Sequence, residues 1–355
     1  MKKRSILLLM AALAIVIGFG AMSFPESSKK ITDFGDETPL WDVLEKLGMG
    51  GAARAKSIAE SSAERGSEFV HKGYSSKNGK KTTKLSKFYV CTTCHNVVKE
   101  FEDPSKISAA DRLDYAIKTG IPYLQASSFY GIVNRNSFFN GDYRKQFEKN
   151  PDISKASGDL REAIKFCNKN FAQSRDLEEW ELESILSYFW TLQFKVSDLK
   201  LSQTDKTQIE KSLQSESAKA SAISFIQSKY AQAMPATILK IPRFAAPKED
   251  AYKDSKRLKD GKAIFEQSCL HCHLNKKYSF FSLENELLTF KAMEKATRTQ
   301  NYIFSMYYLT REGLPPRMGH KSAMPLFTAE KLSPEQLESL YLYVSARAKK
   351  IYKEQ

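Results

Sequence analysis

A chain of 355 residues with 42% hydrophobic and 12% aromatic content is long enough for two domains, each with its own core. The formal charge is +14, which suits an acidic partner or a small anion; no nucleic-acid-binding motif accompanies it, so no nucleic-acid partner is expected. Four of the five cysteines fall in two Cys-x-x-Cys pairs, which leaves Cys167 alone and excludes a disulfide framework.

Lys2, Lys3 and Arg4 precede an apolar run from Ile6 to Phe19, and Ala21 and Ser23 are placed for cleavage after Ser23. Residues 1–23 therefore read as an export signal, and the expected location is periplasmic. The run is short for a bilayer span, so a membrane anchor is expected only if the segment stays uncleaved. Residues 24–65 read as an N-terminal extension with little chemistry. Gly73 to Phe88 is rich in Lys, Ser, Thr and Gly, so no helix is expected to run directly into Cys91.

The pentapeptide Cys91-Thr-Thr-Cys94-His95 stands next in the chain. Two thiols one helical turn apart form thioethers with the two vinyl groups of a macrocycle, and the adjoining imidazole takes an axial position on its iron. This is the signature of covalent haem c attachment. Helices are expected over Ser108–Lys118, Asp159–Phe171 and Asp176–Phe194, the last closing a first domain at 66–197.

Between His95 and Met234 stands no other histidine or methionine, which makes Cys167 the favoured second axial ligand of the first iron. His71, Met49, Met234 or a lysine is the fallback. Leu160, Ile164, Cys167 and Phe171 also share one helix face, so a plain buried cysteine fits the same periodicity.

Residues 198–255 read as a linker with one helix, Thr204–Tyr230, followed by Pro235, Pro242 and Pro247. The second domain, 256–355, opens with Gly261 and Phe265 on one helix face, ahead of Cys269-Leu-His-Cys272-His273. Zinc ribbons place their cysteine pairs within about 15–20 residues of each other, whereas most of the chain separates these two. Met324, in Ala323-Met324-Pro325, is favoured as the partner of His273 over Met318, His320 and Lys321. Ser333-Pro334-Glu335-Gln336 reads as a capping box that starts a last helix with Leu337, Leu340, Tyr341 and Val344 on its apolar stripe. The expected fold is all-α: two tandem class I cytochrome c-like domains joined by a linker, with two covalently bound haem c groups.

The run Leu160-Arg161-Glu162-Ala163-Ile164-Lys165-Phe166-Cys167, then Arg175 and an aromatic closing helix, resembles the segment around the haem-ligating cysteine of di-haem thiosulfate dehydrogenases. It is also similar to the catalytic cytochrome subunit of the sulfur-oxidising Sox complex. The resemblance covers about residues 60–350. It implies a His95/Cys167-ligated haem at an active site and a second haem that passes electrons to a redox partner, a cytochrome or terminal oxidase component. A sulfur oxyanion there calls for cations, and Arg135, Arg144, Arg161 and Arg175 are the candidates.

A thiolate lowers the potential of the first haem and a methionine raises that of the second, so electrons are expected to run from first to second. The set suits a di-haem electron carrier or, as the alternative, a thiosulfate dehydrogenase-like oxidoreductase with Cys167, Arg135 and Arg175 at its site; a di-haem peroxidase, the second alternative, needs an open distal site and a mobile loop that the sequence does not announce.

Overall fold

Two helix crossings organise the chain, and a glycine stands at each. Helix α2 (Ala63–Lys72) starts at Ser62, whose side chain accepts the Arg65 N–H at 3.2 Å, and stops at the left-handed Gly73. It crosses α7 (Glu179–Thr191) so closely that a Cβ on Gly66 would lie 1.9 Å from the Ser184 carbonyl oxygen. Helix α10 (Ser255–Ile264) crosses α14 (Pro334–Ala348) in the same manner, a Cβ on Gly261 falling 2.1 Å from the Ser339 oxygen. The next side chain met is in each case a tyrosine Cβ at 2.8 Å, Tyr188 or Tyr343.

The computed structural model describes residues 34–51, 53–279, 282–300, 304–314 and 324–352. The expected export signal and the alternative ligands Met318, His320 and Lys321 lie outside the described residues.

The fold is all-α. Helix α1 (Leu40–Lys46) precedes the crossing helices, and between them lie α3 (Ala109–Thr119), α4 (Asp142–Gln146), α5 (Ile153–Gly158), α6 (Leu160–Asn170), α8 (Gln203–Ser212), α9 (Glu216–Ser228), α11 (Leu270–His273), α12 (Leu287–Arg298) and α13 (Met306–Glu312). The sheet content of the described residues is one antiparallel ribbon, β1 (Ser76–Lys77) with β2 (Lys80–Lys81). That ribbon stands between α2 and the first cysteine motif, so no helix abuts Cys91. In the second half α10 runs through a π-helical turn, Phe265–Cys269, directly into α11 and the second motif.

Two apolar cores form. The first gathers Phe69 and Val70 of α2, Ile185 and Phe189 of α7, and Phe194. Trp41 and Leu44 of α1 join it, as do Ile209 and Ile226 from the segment read as a linker. Residues 34–47 are thus packed structure rather than a bare extension, at about 1.5–3 kcal/mol per buried large side chain. The single helix expected over Thr204–Tyr230 is two, α8 and α9, which break at Ser215 and pack on each other so that Ile209 and Ile226 both reach the core.

The second core gathers Ile264, Phe265, Phe290, Tyr307, Leu340 and Val344, and also Leu113, Ala116 and Tyr123 from the first half. Helix α3 carries Leu113 and Ala116 three residues apart on one face. Although α3 falls inside 66–197, it packs with the second core. Tyr123 fastens it there, its N–H donating to the Gln267 carbonyl at 3.1 Å and its hydroxyl to Gln336 Oε1 at 2.9 Å.

Candidate functional site

The first motif folds as a 3-10 turn, Cys91–Thr93, in which the Cys94 and His95 N–H groups both donate to the Cys91 carbonyl at 3.2 and 3.1 Å. His95 then points its Nδ1 at the Ser127 carbonyl, 2.6 Å away. That bond puts the proton on Nδ1 and leaves Nε2 a bare donor for a metal. Burial holds the imidazole neutral, lowering it to about 4. Phe129 stacks on the ring at 4.2 Å and is braced in turn by Phe189 at 4.3 Å, so the ring orientation is fixed by packing.

All five cysteines are free thiols. Burial raises Cys91 to about 12, with the charge of Cys167 adding to it. Cys94 is raised well above its ordinary value by burial, by Cys272 and by Cys167, and Cys167 itself is raised by burial to about 11. Cys167 therefore lies near both thiols of the first motif, although it is remote from them along the chain. Tyr143, on α4, is close to the same group: its phenol is raised by burial and then by Cys94 and Cys167.

In the second motif His273 is buried at 8% exposure. Cys269 is raised by burial and Cys272 to about 12, and Cys272 by burial to about 11. The two motifs touch. His271 Nε2 lies 3.3 Å from the Thr92 carbonyl oxygen, and Cys272 Sγ lies 4.0 Å from that of Thr93.

Each motif thus holds a free thiol pair beside an imidazole, half-buried in His95 and buried in His273, and His95 has its outer nitrogen fixed by a carbonyl. This set fits a covalently attached haem, which Cys91, Cys94 and His95 would hold at the first motif and Cys269, Cys272 and His273 at the second.

Met324 pairs its backbone with Leu314, N–H to carbonyl in both directions at 2.9 and 2.8 Å. Gly313 allows this: its φ is +67°, and a Cβ there would lie 2.3 Å from the Met324 carbonyl oxygen. Of the fallback ligands of the first iron, His71 is exposed on α2, bonded to the Ser67 carbonyl at 2.9 Å, and Met49 packs on the first core and accepts from Gln227 Nε2 at 3.6 Å. Met234 lines a cleft with Arg135.

The four arginines are not brought together. Arg175 grips Glu181 bidentately at 2.6 and 2.8 Å, and Arg161 grips Glu183 at 2.6 and 2.9 Å. Both carboxylates are buried in α7, so these guanidinium groups brace the closing helix. Arg144 Nε reaches Ser157 Oγ at 3.4 Å. Arg135 is half-buried without a carboxylate to grip, and its buried Nε has no hydrogen-bond acceptor among the described residues.

Periodicity and motif spacing gave no sign of Glu100, Arg112 and Lys331. All three are buried beside the first motif, the carboxylate 3.2 Å from Arg112 and 3.5 Å from Lys331.

Residues 256–344 match the family model described as cytochrome c oxidase, cbb3-type, subunit III. This segment is a cytochrome c domain. It spans α10, the second motif, Met324 and most of α14. The cytochrome c domain implies covalently bound haem c and transfer of electrons to a redox partner. No curated protein and no solved structure matches the chain.

Proposed function

We propose that this protein is an exported di-haem c-type cytochrome that takes electrons in at the first motif and passes them out through the second. The contact between the two Cys-x-x-Cys-His motifs supports this reading, because the Thr92–His271 approach puts the two segments side by side. The repeated glycine crossing, Gly66 on Ser184 and Gly261 on Ser339, supports tandem cytochrome c lobes. Haem supplies the one-electron chemistry at each site. The chain's contributions are two thiol anchors per site, an imidazole oriented by Ser127 and Phe129, and a low-polarity wall. The partner is a further cytochrome or a terminal oxidase component.

Haem quantitation by the pyridine haemochrome method and intact mass test the reading directly. Two haems per chain are expected, falling to one when Cys91 and Cys94 are both replaced by alanine. One haem in the unaltered protein would overturn the di-haem reading.

A second reading, a thiosulfate dehydrogenase-like oxidoreductase acting at the first haem, is favoured by the nearness of Cys167 to Cys91 and Cys94. Axial thiolate from Cys167 would lower the potential of that haem. Cys167→Ala is expected to change its low-temperature electron paramagnetic resonance spectrum, and an unchanged spectrum rejects thiolate ligation. Steady-state thiosulfate oxidation separates the enzyme from the carrier: no turnover, with normal reduction by small donors, leaves the carrier.

A further inference from the structure

The loop after the first motif buries more positive charge than it neutralises. Glu100 is 3% exposed and accepts from Asn96 Nδ2 at 2.9 Å, the Ser128 N–H at 3.2 Å and Arg112 at 3.2 Å. It faces Lys331 Nζ at 3.5 Å, and its charge also reaches Arg135. Arg112 and Lys331 are 1% and 4% exposed and Arg135 is half-buried, so one carboxylate stands against three basic groups, and burial pushes the Lys331 ammonium down to about 7. Tyr123 and His95 also lie nearby and supply no negative charge, while the carboxylates Asp198 and Glu102 of the adjoining cleft are paired with Lys99 and Lys118.

Arg112 has the Glu100 carboxylate, donates to the Lys331 and Leu124 carbonyls and packs over the Tyr123 ring, although its Nε is bare. The other two are held by less. Lys331 Nζ makes no hydrogen bond, and Arg135 has one contact, to the Ser128 carbonyl at 3.4 Å, with its Nε buried and bare. Buried cations in native proteins are paired, since an unpaired one costs several kcal/mol. A cleft whose charged lining is Arg135, Lys99 and Lys106 with Glu100, Glu102 and Asp198 reaches Arg135 from outside.

We propose that Arg135 and Lys331 form a buried oxyanion site that takes a carboxylate-type group, either a propionate of the attached haem or a small inorganic oxyanion. A guanidinium edge and an ammonium, set opposite an existing carboxylate, match the charge and the oxygens of such a group. Occupation brings the cluster close to neutrality. Because Lys331 belongs to the second half and Arg135 to the first, the same anion ties the two lobes together.

The site depends on haem for one of its two sources, and haem quantitation tests that dependence separately. Resonance Raman spectra of the holoprotein in water and deuterium oxide read hydrogen bonding to the haem propionates. With a propionate as ligand, a solvent-isotope shift of its bending mode is expected in the wild type and is lost in Arg135→Gln and Lys331→Met. With a free oxyanion as ligand, sodium sulfate raises the thermal midpoint of the holoprotein saturably over sodium chloride at equal ionic strength, and Arg135→Gln removes the rise. Arg135→Lys, which keeps the charge, serves if the glutamine variant does not fold, and the sulfate titration of the wild type needs no variant. A propionate mode indifferent to these substitutions, together with no saturable sulfate effect, overturns the site.

Discussion

The imidazole of His271 meets the carbonyl oxygen of Thr92 at 3.3 Å, joining the variable residues of two cysteine motifs that stand 179 positions apart. The neighbouring thiol of Cys272 approaches Thr93 in the same way. The two attachment segments are therefore one structural unit, and a disturbance at this contact reaches both.

His271→Ala removes that contact without touching a thiol or an iron ligand. A loss of about 0.5–1.5 kcal/mol is expected from one hydrogen bond, read as a lower thermal midpoint. If both motifs carry haem as proposed, pulse radiolysis is expected to show slower electron equilibration between them, with haem content unchanged.

Gly66→Ala and Gly261→Ala each place a methyl group about 2 Å from a backbone carbonyl oxygen, Ser184 or Ser339. Neither neighbour is a flexible side chain, so the helices must part. Each substitution is expected to cost at least about 1–3 kcal/mol, and calorimetry checks it. Gly79→Ala, at an open turn with no atom within 4 Å of the new Cβ, is the control for added bulk; its φ of +73° still carries some strain.

Glu100 gives the pH dependence. Burial alone would raise its carboxyl, but Arg112 and Lys331, with hydrogen bonds from Arg112 and Asn96, reverse this and hold it at about 2. Its folded pKa lies below the ordinary glutamate value of 4.5, so the unfolded chain binds the extra proton between these values. Stability from Glu100 is therefore full above about pH 4.5 and is lost as the pH falls toward about 2. Glu100→Gln leaves the buried Arg112 without its carboxylate at every pH, and a loss of about 3–5 kcal/mol is expected. Denaturant titrations of both proteins across the acid range up to neutrality test this: the difference between them is expected to shrink at the acid end.

Gly313→Ala tests the approach of Met324. Its Cβ would meet the Met324 carbonyl at 2.3 Å, and alanine is strained at a φ of +67°. With Met324 as axial ligand of the second haem, the methionine–iron charge-transfer band is expected to weaken or vanish. A band of unaltered strength in a variant with a lowered thermal midpoint would assign the ligand elsewhere.

Much of the local chemistry was legible along the chain. Ser333 accepts the Gln336 N–H at 3.2 Å and Gln336 accepts the Ser333 N–H at 2.9 Å, the capping box that the four residues spell. Asp159 caps α6 by accepting from Glu162 at 3.1 Å, within a residue of the expected helix start. The close approach at Gly261 was readable because a helix position without a Cβ has few other uses. Its counterpart at Gly66 was hidden by the ribbon and loop that part α2 from Cys91.

Residue order alone dictates the chemistry carried by short spacing: thiols at i and i+3, a histidine next to them, a serine and a glutamine three apart. Such patterns depend only on backbone geometry within one turn. Long-range packing is what placed α3 with the second core, gave Arg161 and Arg175 to Glu183 and Glu181, and brought Glu100 to Arg112 and Lys331. Arg112 and Lys331 are 219 positions apart, and no periodicity links residues at that separation. Their meeting is settled by which apolar faces bury against which, and the buried charges must then satisfy one another where that packing has put them.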